Sequence, residues 1–228
     1  MNFLDGPFTK GDVEIQEVNL DRDDSGPYRI YIDEEGNKYE SVTSFIGRSD
    51  PSKEASLQAW KNAVGLEEAN AISEAAATKG TAVHLACEQY IAGLRWQDIS
   101  MFCKADFLSI KKLLDAKLSK VIGSELRMYS KRLKLAGTTD LLASWDNEIS
   151  IIDFKTSGRI KYKDEIDGYF LQMAAYAAMA YEMYGIRVKH LVVIMAVDGD
   201  PNAYEYAETV GYWLNKLIEL RRTYPALQ

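Results

Sequence analysis

A chain of 228 residues with 47% hydrophobic content can bury a sizeable core. No apolar run reaches the ~18 residues that cross a bilayer, and Met1–Lys10 lacks the basic and apolar regions of an export signal, so a protein that neither enters a membrane nor is exported is expected. The two cysteines, Cys87 and Cys103, exclude a disulfide framework or a four-cysteine zinc or iron–sulfur centre within the chain.

The net charge of −7 argues at first against a polyanionic partner, but its distribution removes the objection. Residues 1–40 carry eleven Asp or Glu against four Lys or Arg, which leaves the other 188 residues balanced. Between Lys117 and Lys163 there are ten basic residues and five acidic ones. Three of those five are the candidate site residues Glu125, Asp140 and Asp153. A positive surround for an acidic centre suits a phosphate backbone; a solvated charged face is the plainer reading of each separate lysine.

Taken in order, the acidic segment to Ser25 has no clear periodicity and reads as extended. Tyr28–Ile32 and Asn37–Ser41, joined by Asp33-Glu34-Glu35-Gly36, form a small hairpin. The alanine-rich run from Pro51 to Glu74 reads as one or two helices, broken near Gly65. Gly80-Thr81 opens the next helix, which carries His84 and stops near Gly93, and an amphipathic helix follows over about Asp98–Leu118. Leu133–Trp145 and Ile149–Thr156 read as strands around the turn Asp146-Asn147-Glu148. A helix over about Lys163–Tyr184, a strand over Arg187–Val197 and a closing helix over about Ala207–Tyr224 complete the chain. This order predicts an α/β fold with a mixed central sheet flanked by helices, preceded by a helical insertion. It reads as one domain in three parts: an acidic segment 1–40, a mostly helical part 41–118 with His84, and an α/β core 119–228.

The chemistry gathers in the second half. Asp153 and Lys155, two apart on a strand, project from one face while Phe154 points into the core. The preceding hairpin brings Asp140 towards Asp153. Two carboxylates and an ammonium at one strand end suit a hard divalent cation with a lysine left to hold a phosphate oxygen or an attacking water. Asp-x-Lys alone is commonly a surface ion pair. Gln172 and Tyr176, one turn apart on one helix face, either support the site or simply join the surrounding core.

Gly137-x-x-Asp140, Asp153-Phe154-Lys155 and Gln172-x-x-x-Tyr176, in this order, resemble the RecB-type branch of the PD-(D/E)XK nucleases. Gly80-x-x-x-His84-x-x-x-Glu88 is similar to that branch's histidine helix, and Glu125 matches an acidic position ahead of its second strand. The wider pattern, with Leu57-Gln58-Ala59-Trp60-Lys61 and Val64–Ala69, resembles mitochondrial genome maintenance exonucleases and their phage counterparts, over roughly residues 41–197. The resemblance implies a PD-(D/E)XK core and a DNA exonuclease dependent on magnesium or manganese (Mg2+ or Mn2+). It implies metal binding by His84, Asp140, Asp153 and the Phe154 carbonyl, and catalytic roles for Asp140, Asp153, Lys155, Gln172 and Tyr176. Glu88 and Glu125 then orient ligands or hold a second metal. His84 read by itself is equally a buried, hydrogen-bonded histidine.

Single-stranded DNA entered from an end is the implied substrate, with Trp60 stacking on a base and Lys61 on phosphate, or with Trp60 as ordinary core. Lys131, Arg132, Arg159 and Lys161 are further candidate nucleic-acid contacts. A monomer in the cytoplasm of a bacterial or phage-infected cell is expected. The alternatives are a non-catalytic nucleic-acid-binding module, an endonuclease of the same fold, and a small-molecule hydrolase using the same metal chemistry.

Overall fold

A computed structural model describes residues 7–227. The part of the Met1–Lys10 reading that falls on residues 1–6 lies outside the described residues. The strands are β1 (Thr9–Lys10), β2 (Asp21–Asp23), β3 (Ile30–Ile32), β4 (Lys38–Ser41), β5 (Leu118–Ser130), β6 (Leu135–Trp145), β7 (Glu148–Ser157), β8 (His190–Val197) and β9 (Tyr204–Thr209). The helices are α1 (Val42–Arg48), α2 (Pro51–Val64), α3 (Leu66–Ile91), α4 (Met101–Lys117), α5 (Asp167–Tyr184) and α6 (Val210–Thr223), with a 3-10 turn at Lys163–Ile166. Among the described residues, no helix is long and apolar enough to cross a membrane.

The strands join in one mixed sheet whose main path runs β2, β3, β4, β6, β7, β8, β9, and β5 pairs with the other edge of β6. β6 and β7 are joined by a tight turn in which Asp146 and Asn147 both take positive φ, 48° and 67°. Those values match the right-handed twist of a two-residue hairpin. β7 then runs parallel to β8 along its length, from Ser150↔His190 to Ser157↔Val197. Such a crossover needs a covering helix, and α5 supplies it.

Alternate side chains of the central strands enter two separate cores. On one face Leu142, Ile151, Leu191 and Val193 pack with Phe45 of α1, Phe170 and Met173 of α5, and Trp213 of α6. On the other, Leu141, Ile152, Phe154 and Ile194 pack with Val83 and Cys87 of α3 and with Phe107 and Ile110 of α4. The sheet is therefore covered on both sides, which explains the unbroken apolar run of β8.

The predicted hairpin of the first 41 residues is present as β3 and β4, and the acidic segment before it adds β2 along β3 and β1 along β5. Gly65 separates α2 from α3 at φ 97°, a conformation that excludes continued helix. Gly80, by contrast, does not open a helix: α3 runs through it from Leu66 to Ile91. An interior glycine costs a helix ~1 kcal/mol, and burial of Val83, Ala86, Cys87 and Ile91 just beyond it offsets that. The last helix starts at Val210 rather than Ala207. Residues 204–209 form an edge strand on β8 instead, with Tyr204 and Tyr206, two apart, packed on the first core.

One buried polar cluster fastens the two ends of the fold. Glu40 in β4 is 4% exposed and accepts from Arg48 of α1, at 2.5 and 2.9 Å, and from Arg221 of α6, at 2.9 Å. Arg221 also donates to the carbonyls of Leu133 (2.8 Å) and Lys134 (3.1 Å). Both guanidinium groups lie over the Phe45 ring, at 5.4 and 4.6 Å. Removing the one carboxylate would leave two buried cations facing each other with only backbone carbonyls as acceptors. Glu40→Ala is expected to lower unfolding free energy by ~3–5 kcal/mol, read as the shift of the urea midpoint, and an unchanged midpoint would show that the cluster is not a fastening.

Candidate active site

The site lies where the sheet forks. β6 offers one edge to two strands in succession: β4 takes Leu135 and Ala136, and β7 takes Leu141 to Trp145. Residues 137–140 pair with neither along that edge. Asp140 and Asp153 would form the next rung beyond Leu141↔Ile152, but the ladder ends there and the Asp140 side chain takes over its role. Asp140 Oδ2 accepts from the Phe154 amide at 2.8 Å. An amide at a parting of strands is thus satisfied by a carboxylate, which holds that carboxylate in place.

Side chains reach the fork from both faces. Ile152 and Phe154 point towards α3 and α4, so Asp153 and Lys155 alternate towards α5. There Lys155 Nζ lies 2.5 Å from Asp153 Oδ2 and 4.9 Å above the Tyr169 ring. Burial pushes the Asp153 carboxyl up to about 6 against the opposing pull of Lys155, and nearby Asp140 pushes it the same way as burial. Burial would discharge Lys155, but the Asp153 and Asp140 carboxylates outweigh it and hold the ammonium.

Tyr176 closes the fork from α5. It is almost fully buried, and burial followed by the charges of Asp153 and Asp140 raises its hydroxyl far above the ordinary tyrosine range. Gln172 Nε2 donates to it at 3.5 Å. Its ring fits because residue 137 is glycine: a Cβ there would come within 2.9 Å of the Tyr176 hydroxyl and 3.0 Å of its ring. The spacing Gly137-x-x-Asp140 therefore has a steric cause. Tyr169, Gln172 and Tyr176 share one helix face at i, i+3 and i+7, so the spacing that pairs Gln172 with Tyr176 also brings in Tyr169, which lies outside the sequence motifs.

From the α3 side, His84 Nδ1 stands 3.4 Å from Asp140 Oδ2, and its ring meets Phe154 edge-on at 6.1 Å. Glu125 of β5 lies across from Asp140, between the pairs Ser124↔Leu141 and Leu126↔Thr139. Its φ of 50° is rare for a residue with a side chain and lies at the site, a common place for stored backbone strain. One ligand atom each of His84, Glu125 and Asp140 fall within 4.8 Å of one another, a spread that one coordination sphere of ~2.0–2.6 Å bonds can span. Desolvation beneath the cleft, then the charges of Asp140 and Glu88, push the Glu125 carboxyl up to about 7.

His84, Glu125 and Asp140, with Gly80, Thr81, Leu85 and Glu88, line an open cleft of 460 Å³, while Asp153 and Lys155 lie outside that lining. A larger hollow of 960 Å³ between α5, α6 and the β5–β6 turn contains none of the site carboxylates, so chemistry rather than size marks the site. Cys87 is buried behind the cleft, its thiol raised by burial and by Asp140 and so kept neutral.

Residues 102–209 match the model of the PD-(D/E)XK nuclease superfamily. The mixed sheet between helices agrees with the PD-(D/E)XK fold, and the matched span contains Glu125, Asp140, Asp153, Lys155, Gln172 and Tyr176 but not His84. No curated protein matches the chain. Among solved structures, the crystal structure of SSO0001 is 14% identical, with a TM-score of 0.39 over 82% of this chain and 77% of that one. A likeness so distant carries no argument.

The remaining sequence candidates are dispersed. Lys131 and Arg132 occupy the β5–β6 turn, on the order of 20 Å along the strand from Asp140 at ~3.3 Å per residue. Lys131 pairs with Glu35. Arg159 and Lys161 follow β7 directly and lie nearer. Trp60 and Lys61 are half-buried on α2, a helix with no fully buried residue.

Because Tyr176 is walled in, it cannot swing aside for a new methyl group. Gly137→Ala is expected to cost ~1–3 kcal/mol through overpacking, measured by urea denaturation. Tyr176→Phe in the same background should recover only part, since the ring contact persists. A Gly137→Ala protein as stable as the parent would show that the fork is loose.

Proposed function

We propose that this protein is a metal-dependent deoxyribonuclease of the RecB-type branch that degrades single-stranded DNA from its ends as a monomer. The observation that carries this reading is the meeting of Asp140, Asp153 and Lys155 at the fork, with His84 and Glu125 opposite. A binding module has no use for a lysine held charged by a buried carboxylate, Asp153, with a second, cleft-lining carboxylate, Asp140, close by. The ordered motifs and the superfamily match support the nuclease class. The basic stretch from Lys117 to Lys163 supports a polyanionic substrate through Arg127, Arg132, Lys134 and Lys161, its other six cations being ion-paired within the protein.

His84, Glu125 and Asp140 would hold the cation, with Asp153 and the Phe154 carbonyl completing the donors. Hard oxygen ligands with one imidazole suit Mg2+ and Mn2+. The cation, when bound, supplies Lewis-acid polarisation of the phosphate and neutralises its charge. The raised carboxyls of Glu125 and Asp153 fit this role, because such groups retain protons that a cation displaces. Lys155 orients the attacking water and donates to a non-bridging phosphate oxygen as negative charge grows there. Asp153 keeps that ammonium charged and aimed. Gln172 and Tyr176 hold the walls of the fork, and Glu88 orients His84 from one turn along α3.

End dependence rests on the resemblance of the motifs to end-dependent exonucleases and on α3, whose Gly80, Thr81, His84, Leu85 and Glu88 line the cleft and whose first half, like α2 before it with Trp60 and Lys61, is exposed. The deciding experiment follows cleavage of linear single-stranded, circular single-stranded and duplex DNA in Mg2+, in Mn2+ and in excess EDTA. Linear single strands should be degraded with either cation and left intact in EDTA, and circles should be poor substrates. Undiminished cleavage in EDTA would remove the metal mechanism. Equal rates on circles and linear strands would make the enzyme an endonuclease.

Lys155→Ala separates chemistry from binding. Turnover should fall by about 10²–10³, while affinity for single-stranded DNA changes far less because backbone contacts are spread over many basic groups. Equal turnover in mutant and parent would exclude Lys155 from the reaction.

A further inference from the structure

The loop after β7 departs from what a solvated connection requires. Its residues Arg159-Ile160-Lys161-Tyr162 are tied down on one side. Ser157 Oγ donates to the Arg159 carbonyl at 2.7 Å, Tyr206 Oη to the Lys161 carbonyl at 2.8 Å, and the Tyr162 amide to Glu165 at 2.8 Å. The Arg159 guanidinium grips the same Glu165 carboxylate. On the other side the loop presents two large apolar side chains to solvent, Ile160 at 48% and Tyr162 at 76% exposure. Tyr162 is extended, with φ −79° and ψ 161°. Ile160 and Tyr162 flank Lys161, whose own side chain turns in to Tyr169, and both present apolar area to solvent.

The charges of this loop are largely spent within the protein. Arg159 pairs with Glu165 and Lys163 with Glu208, which leaves the apolar surface as its main unpartnered asset. Its root touches the candidate chemistry. Lys161 Nζ donates to the Tyr169 hydroxyl at 3.3 Å and lies 5.6 Å from the ring that Lys155 Nζ also overlies, at 4.9 Å. One aromatic ring therefore separates the loop from the lysine.

We propose that Ile160 and Tyr162 form a stacking subsite for an unpaired nucleobase of the strand being cut. This rests on the nuclease reading above and adds to it a substrate requirement: a base must be free of its partner to occupy the subsite. Every nucleobase has a π face, so the subsite favours unpaired ends over paired ones without reading sequence. The tethered backbone means that little order has to be created on binding, and the aromatic side chain has few rotors to freeze.

The test uses the full chain carrying Lys155→Ala, so that DNA stays intact, and single-stranded oligonucleotides with 2-aminopurine at each position in turn. One or two positions should lose emission on binding as the base stacks. Tyr162→Ala should restore that emission and raise Kd about tenfold. Tyr162→Phe should behave as the parent, and Tyr162→Leu, which keeps bulk without a π face, should lose the quenching. If Tyr162→Ala or Tyr162→Leu, with an unchanged melting transition, binds and quenches like the parent at every position, the subsite is overturned while cleavage by the wild-type protein leaves the nuclease reading standing. If the wild-type protein neither binds nor cleaves DNA, both fall.

Discussion

Everything chemical in this fold depends on a break in the hydrogen bonding of one strand. β6 is shared by three neighbours, and its edge between β4 and β7 contains a few residues that neither strand covers. A backbone amide left there would be costly, and Asp140 takes the Phe154 amide in place of a carbonyl. The carboxylate at the candidate site is thus part of the backbone scaffold as well. It cannot drift from the fork without leaving an amide unsatisfied.

The same fork gathers charge that a core would otherwise reject. Asp153 is 2% exposed, and burial alone would keep it protonated. Lys155 opposes this, and each member of the pair makes the other tolerable. Around them stand neutral groups of limited mobility: Tyr176 against Gly137, Gln172 behind it, and Phe154 edge-on to His84. Rigid neutral walls with a few fixed charges make a site whose field is set before any substrate arrives. The strained backbone of Glu125 belongs to the same economy of position, since its unusual φ aims a carboxylate across the strand pair.

Much of this was legible in the sequence because it follows from short periodicities. Asp153 and Lys155 share a face by the two-residue repeat of a strand, Gln172 and Tyr176 by the turn of a helix, and Asp146-Asn147 mark a tight hairpin by their tolerance of positive φ. Gly80 misled because a glycine before a polar residue resembles a helix start, whereas the packing of Val83 and Cys87 carries α3 straight through. Ala207 misled in the same way: alanine suggests helix, yet β8 had an open edge, and pairing with it decides the state of Tyr204 to Thr209. The fork itself was hidden. Nothing local announces that β4, some ninety residues upstream in the chain, will occupy the first rungs of β6, so that β7 parts from β6 after Ile152.

Glu40 and Arg221 meet across 181 positions of chain. At ~5–20 residues per second of synthesis, the glutamate waits on the order of 10–40 s for that partner to emerge. During that interval β4 and α1 have no α6 to cover them, and Phe45 lacks one of its two stacked guanidinium groups. The nascent chain therefore passes through a stage in which its earliest strands are made but cannot be sealed, and α6 acts as the latch that closes over them.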